Sequence, residues 1–143
     1  MKTYNVKSSD IERQWHLVDA SGKTLGRLAS EVAIILLGKN KPTFSNNINV
    51  GDYVVVVNAS KVKVTGKKDQ QKVYYRHSNY PGGLRSVSYA DMFKVNPERV
   101  VTFAVRGMIP RNRLGRQIMS RLKVYAGQDH PHAAQMVKSD KGE

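Results

Sequence analysis

Residues 53–58, YVVVVN, restrict the fold most, because four valines stand there in a row. A strand with one solvated face alternates apolar and polar residues, so a continuous β-branched run is typical of a strand buried on both faces. A helix is predicted just before it, between Thr24 as N-cap and Gly38 as stop. At about 100° per residue, one broad face of this helix carries Leu25, Leu28, Ala29, Val32, Ile35 and Leu36. A helix followed by a doubly buried strand indicates a parallel pair and an α/β fold.

Further strands and loops are predicted around this pair. A first strand is expected at residues 15–18, and residues 39–52 are expected to form a loop. Residues 61–64 alternate as KVKV, which predicts a strand that pairs as a hairpin with residues 72–75. Residues 76–85, RHSNYPGGLR, are rich in Gly, Pro and polar residues and are expected to form a basic loop without regular structure.

Two short helices and a tail are predicted in the second half. Residues 88–93 are expected to be helical, because Ser88 and Asp91 have the spacing of a capping box. Residues 96–105 predict another helix, since they begin with Asn-Pro-Glu. Residues 136–143 are expected to be a solvated tail.

Composition favours one domain in a cytosolic compartment. A chain of 143 residues, 40% of them hydrophobic, can bury one sizeable core but hardly two. The sequence has no cysteine, which excludes disulfides, thiolate metal ligands and cysteine nucleophiles. Its start lacks the apolar stretch of a signal peptide, and no run approaches the ~18 apolar residues of a membrane span.

Charge indicates a polyanionic partner. The chain carries 24 Lys plus Arg against 11 Asp plus Glu, a formal net charge of +13. Such self-repulsion is tolerable when a polyanion neutralises it, and the commonest cellular polyanions are nucleic acids and anionic membrane surfaces.

Residues 106–127 concentrate this charge, with five arginines, one lysine and no acid. A helix is predicted from residue 113 to about residue 125. Its inward side carries Leu114, Ile118, Met119, Leu122 and Tyr125, and its outward side carries Arg113, Arg116, Gln117, Ser120, Arg121 and Lys123. Arginine forks match phosphate oxygens, so the outward side suits a phosphate backbone. A solvated basic face remains an alternative, whereas an interfacial membrane helix would lack Trp or Phe anchors.

A second basic cluster is interleaved with aromatic residues. Its cations are Lys61, Lys63, Lys67, Lys68, Lys72, Arg76 and Arg85, against one acid, Asp69, and its rings are Tyr74, Tyr75, His77 and Tyr80. Rings beside cations suit unstacked RNA bases, although packing in the core or in a hairpin remains open for any single tyrosine.

No catalytic constellation is complete. The Gly-Lys pairs lack the full phosphate-loop pattern, and the carboxylates are scattered singly. Residues 129–132, DHPH, could suggest a metal, but Pro131 prevents a helical histidine pair, so an RNA or protein contact is favoured. From the residues alone, a structural RNA-binding component and an α/β enzyme with a basic surface both stay open; no cofactor is indicated.

The sequence resembles the bacterial ribosomal protein L13 family of the large subunit. The resemblance covers residues 15–30, 51–68, 72–84 and 96–100 and is most specific at residues 107–135, GMIPRNRLGRQIMSRLKVYAGQDHPHAAQ. Ile109, Arg111 and Arg113 replace residues expected as Leu, Lys and Lys. These changes preserve side-chain character.

The resemblance implies one three-layer α/β domain over residues 1–143, with a central, mainly parallel sheet flanked by helices, basic loops and a C-terminal extension. It implies a structural role without enzyme activity, in which the chain binds large-subunit rRNA on the cytoplasmic ribosome and acts early in subunit assembly. Neighbouring ribosomal proteins are implied partners, a membrane is not, and messenger RNA stays open because some family members act on it.

Together, charge, face and resemblance give the candidate RNA-binding residues. They are Lys61, Lys63, Lys67, Lys68, Lys72, Arg76, His77, Tyr80, Arg85, Arg111, Arg113, Arg116, Arg121, Lys123, His130 and His132.

Overall fold

A parallel sheet of three strands organises the chain in a computed structural model, which describes residues 2–139. In chain order the elements are β1 (Trp15–Asp19), α1 (Leu25–Leu37), β2 (Tyr53–Val57), α2 (Lys68–Gln71), β3 (Val73–His77), β4 (Leu84–Ser88), α3 (Tyr89–Val95), α4 (Pro97–Met108), α5 (Arg113–Met119), β5 (Leu122–Val124) and α6 (Ala133–Ser139). The sheet has the order β1-β2-β5, and both pairings are parallel. Its central strand is the valine run, which confirms the predicted buried strand and parallel pair.

Helices α1 and α4 form the core against one face of this sheet. Val54 and Val56 of β2 belong to one buried cluster with residues of both helices, among them Leu28 and Val105. Gly38 ends α1 in the left-handed conformation predicted for it, with φ of 78°.

The C-terminal segment, residues 130–139, approaches the other face of the sheet. Val55 and Val57 point to this face and are also buried. Helix α6 contacts β1, and the ring of His132 stacks on Trp15 at 5.1 Å between centroids. The layers confirm the predicted α/β architecture with a central, mainly parallel sheet.

The hairpin prediction was wrong in its partners. Residues 61–64 do not pair with residues 72–75. Lys61 ends a 3-10 turn, and Lys63 forms an isolated parallel β-bridge with Thr24. Instead β3 pairs with β4 in antiparallel register, so both ends of the expected irregular loop are strands. The Gly- and Pro-rich sequence supplies only the turn between them, where Gly82 has φ of 72°.

The end of the basic helix was also predicted wrongly. Helix α5 ends at Met119, and the next residues form β5 on the edge of β2. Leu122 and Val124 have the spacing of two that a strand needs, and both pack against the core. Pairing with an open strand edge therefore overrides the local helical periodicity.

The two short helices are confirmed at their starts, and part of the predicted tail is helical. Ser88 caps α3, since its Oγ accepts from Asp91 N and donates to Asp91 Oδ2 at 2.7 Å. Helix α4 starts at Pro97 as expected but extends to Met108. Of the predicted tail, residues 136–139 are helical as part of α6, and residues 140–143 lie outside the described residues. Within residues 2–139, no helix is long and apolar enough to cross a bilayer.

Gly51 is the position where the fold tolerates a side chain least. A Cβ there would lie 1.8 Å from the carbonyl oxygen of Leu36, whereas a Cβ on Gly107 in α4 would have nothing within 4 Å. We expect Gly51→Ala to lower the free energy of unfolding by about 3 kcal/mol, the upper end for overpacking. Gly107→Ala should raise it by about 0.5 kcal/mol through helix propensity. Denaturant melts compare the two; equal midpoints would contradict the close approach of Gly51 to α1.

Candidate nucleic-acid interface

An open groove with a cationic rim lies between α4 and α5. It encloses about 920 Å³ and is lined by Thr102, Phe103, Arg106, Gly107, Ile109, Pro110, Arg111, Asn112, Arg113, Gly115, Arg116 and Met119. Four of these residues are arginines, and all four are exposed. None of the residues that line the groove is acidic. We call this feature the arginine groove.

The turn between α4 and α5 fixes the rim of the arginine groove. Asn112 caps α5, because its Oδ1 accepts from the backbone N–H of Gly115 at 2.8 Å. A Cβ on Gly115 would lie 1.8 Å from the carbonyl oxygen of Pro110, so the turn closes tightly on the helix. Arg111 and Arg113 flank the cap and Arg116 follows one turn later. Three predicted RNA-binding residues are thereby brought together.

Sequence reasoning missed Arg106 as a site residue. It lies on the last turn of α4 and lines the arginine groove. The signal was present, since Arg106 begins the acid-free stretch of residues 106–127. Arg99, seven residues earlier on the same helix, was also missed; its guanidinium lies 5.3 Å from the ring centroid of Phe103.

The second cationic feature is the antiparallel pair β3–β4, which we call the basic hairpin. Arg76 stands directly opposite Arg85 in the register. Like charges in that position weaken a strand pair unless an anion compensates them. The structure thus brings these two predicted site residues together, with Lys72 just before β3.

The aromatic residues of the basic hairpin divide into packed and free rings. Tyr74 packs on Phe103 with centroids 5.8 Å apart, and burial raises the pKa of its hydroxyl. Tyr75 and Tyr80 are 69% and 74% exposed. His77 is exposed, and its Nδ1 accepts from Asn79 N at 2.9 Å. Packing accounts for Tyr74, while Tyr75 and Tyr80 present rings that a base could stack on.

The remaining lysines of the second cluster lie apart from the hairpin strands. Lys61 and Lys63 are exposed near the start of α1, where Lys63 O accepts from Leu25 N. Lys67 and Lys68 are exposed at the start of α2. The predicted cluster is therefore spread over three places on the surface.

Arg121 is not a surface residue, and its predicted place on the outward helix face was wrong. It is 4% exposed. Its guanidinium donates to Leu36 O at 3.0 Å, to Gly51 O and to Asn49 Oδ1. Burial, followed by the charge of Arg13, lowers its pKa to about 10. Because α5 ends at Met119, Arg121 turns inward and joins α1 to the loop before β2.

Lys123 was likewise placed on the wrong element. It is half-buried in β5, where its backbone pairs with Val55, and it does not share a helix face with Arg116. Its side chain lies on the sheet face that the C-terminal segment approaches, and its charge contributes to lowering the pKa of His132.

His130 and His132 make contacts within the protein. His132 Nε2 and the Tyr125 hydroxyl are 2.7 Å apart, and His132 N donates to His130 Nδ1 at 3.2 Å. Burial, with the charges of His130 and Lys123, lowers the pKa of His132. Among residues 2–139, no group of three or more His, Asp or Glu side chains could hold a metal. The hydrogen bond to Tyr125 and the stacking on Trp15 thus fasten His132 to the residue after β5 and to β1.

A buried carboxylate, Asp52, was missed by sequence reasoning and holds the loop of residues 39–52. It accepts hydrogen bonds from Lys41 Nζ at 2.7 Å, His16 Nε2 at 2.8 Å and Gln14 N at 3.1 Å. Burial by itself would raise its pKa, but the hydrogen bonds from His16, Lys41 and Gln14 outweigh burial and lower the pKa to about 2. Its position directly before the valine run was the available signal.

Comparison with known proteins extends over both cationic features. A family model described as "Ribosomal protein L13" matches residues 13–131. The chain is 58% identical over 134 residues to "Large ribosomal subunit protein uL13" of Symbiobacterium thermophilum, with 94% of each chain covered. It is 56% identical over 138 residues to the protein of that name from Roseiflexus sp. (strain RS-1), with 96% of this chain and 94% of the relative covered.

The buried charge of Asp52 should make stability depend on acid pH. Its pKa in the folded chain, about 2, is below the ordinary 3.8, so its contribution is complete above about pH 5 and is lost as the pH falls to about 2. Asp52→Asn should be less stable than the unmodified chain at pH 6, and that difference should shrink by about 2 kcal/mol by pH 2. Denaturant melts across this range test it; a difference that is constant with pH would contradict it.

Arg121 and Arg116, which were predicted to share one helix face, should differ widely in their contribution to the free energy of unfolding. Arg121→Ala removes the donor from buried carbonyls, each worth about 1–3 kcal/mol when left unsatisfied, so we expect a loss of about 3 kcal/mol or more. Arg116 is exposed, and Arg116→Ala should change the free energy of unfolding by about 0.5 kcal/mol or less. Equal denaturant midpoints for the two variants would contradict the inward position of Arg121.

Proposed function

The chain belongs to the ribosomal protein L13 family, and from that premise we propose that it binds large-subunit ribosomal RNA through the arginine groove and the basic hairpin. Family membership makes it a structural protein of the large ribosomal subunit and not an enzyme, as the sequence indicated. It also agrees with the predicted cytoplasmic location on the ribosome.

The observation that carries the proposal is the arginine groove. Its four exposed arginines have no acidic side chain among the groove residues to neutralise them. Guanidinium forks bind phosphate oxygens in bidentate geometry, and each neutralised phosphate releases a counterion. An RNA backbone supplies the negative charge that this part of the chain lacks.

The alternatives fit the geometry less well. An interfacial membrane helix needs a long apolar face, but α5 has only seven residues and its apolar side packs on the core. A merely solvated basic face would normally mix charges of both signs, which the groove rim does not.

Partners beyond rRNA follow from the family. Neighbouring large-subunit proteins are expected partners of a subunit component. An early role in subunit assembly rests on the sequence resemblance; if it is correct, the chain will sediment with precursor particles as well as with mature large subunits. The names of the relatives give no support for messenger RNA as a partner.

The proposal is tested by the salt dependence of RNA affinity. If Arg116 neutralises one phosphate, Arg116→Gln should weaken binding to large-subunit rRNA and reduce the slope of log affinity against log salt by about 0.7–0.9. Arg27→Gln is the matched control, since Arg27 is exposed on α1 outside both features. If Arg116→Gln leaves this slope unchanged, the basic side of α5 is an ordinary solvated face and the proposal is wrong for this helix.

A further inference from the structure

We infer that the basic hairpin and the arginine groove form one continuous surface, across which a single segment of RNA lies. The inference rests on the proposed function and adds the path of the RNA. In the sequence, residues 89–101 separate the basic hairpin from the first residue of the arginine groove, and nothing in this spacing indicates that the two features meet.

The two features meet at a pair of rings. Tyr74 belongs to the basic hairpin, and Phe103 belongs to α4 and lines the arginine groove. Their centroids are 5.8 Å apart. Phe103 of the groove therefore packs directly on the basic hairpin, and no other element separates the two features at this point.

Cations flank the ring pair on each side. Lys72 Nζ lies 5.2 Å from the ring centroid of Tyr74, and the Arg99 guanidinium lies 5.3 Å from that of Phe103. A cation held over an aromatic ring places positive charge beside an otherwise apolar contact. Positive charge thus continues from the hairpin, across the rings, to Arg106 three residues after Phe103.

The arginines of the hairpin lie on the face that meets the groove. Side chains alternate along a strand, so Arg76 shares the face of Tyr74. The register places Val87 opposite Tyr74 and Arg85 opposite Arg76, which puts both arginines on that face. The opposite face carries no Lys or Arg; its residues are Val73, Tyr75, His77, Leu84, Ser86 and Ser88.

Two of the carboxylates near this path make hydrogen bonds within the fold. Glu98, on the first turn of α4, accepts a hydrogen bond from Ala126 N at 3.1 Å. Asp91, on α3, is bound by the hydroxyl of Ser88. Both acids are held in local contacts. A third acid, Asp69, is exposed on α2 before Lys72, and none of the three lies among the groove residues. The arginines at the groove end of the path therefore have no acid among them, and an external anion can neutralise them.

The test compares charge removal at the two ends on one RNA. Nuclease digestion of large-subunit rRNA bound to the full chain yields the shortest protected fragment. Affinity for that fragment is then titrated with salt for a hairpin pair, Arg76→Gln/Arg85→Gln, a groove pair, Arg106→Gln/Arg113→Gln, and the four changes together. If the two features form one surface, each pair of substitutions should lower the slope of log affinity against log salt by about 1.4–1.8. The quadruple variant should lower it by about twice that.

A pair of the same charge change elsewhere, Arg27→Gln/Lys39→Gln, is the control and should leave the slope unchanged, and denaturant midpoints check that every variant folds. If one pair affects only longer RNA and not the shortest fragment, the surface is two separate sites; the inference is then overturned while the proposed function stands. An equal slope loss in the control pair also overturns it. A flat salt dependence for the unmodified chain would overturn the proposed function itself.

Discussion

The buried guanidinium of Arg121 is the contact on which the rest of the structure depends. It binds the carbonyl of Leu36 at the end of α1, the carbonyl of Gly51 before β2 and the side chain of Asn49. Removing a charge from water costs several kcal/mol, which the hydrogen bonds from the guanidinium to these acceptors offset. Because Arg121 directly precedes β5, α5 must have ended before it.

Asp52 supplies the opposite charge near the same end of the sheet, where it raises the pKa of Arg121 against the effect of burial. Its own partners, Lys41 and His16, come from the loop and from β1. Here and at Glu98 and Asp91, carboxylates are used in local contacts within the fold. In the arginine groove, the excess of basic residues therefore forms a surface with no acid among its cations.

Local signals could predict the parts of this fold that local forces decide. The valine run, the αL stop at Gly38 and the Ser88 cap each need only their own neighbours. The end of α5 needed more, because the leucine at position 122 fits the helical period and a strand equally well, and only the open edge of β2 decides between them. For the same reason, nothing in the sequence distinguished the buried Arg121 from the exposed Arg116. Contacts between distant segments, such as that of Tyr74 with Phe103, could not be predicted, because no local sequence pattern indicates them.

The facing arginines of the basic hairpin link its local order to the presence of an anion. A two-stranded ribbon is marginally stable alone, and like charges directly opposite weaken it further. By the reciprocity of linked equilibria, an anion that prefers the ordered ribbon stabilises it by the same factor by which order raises the affinity for the anion. A copy without its anionic partner would therefore open at this ribbon more often. Surplus, unassembled protein would offer proteases an entry there that an assembled copy does not.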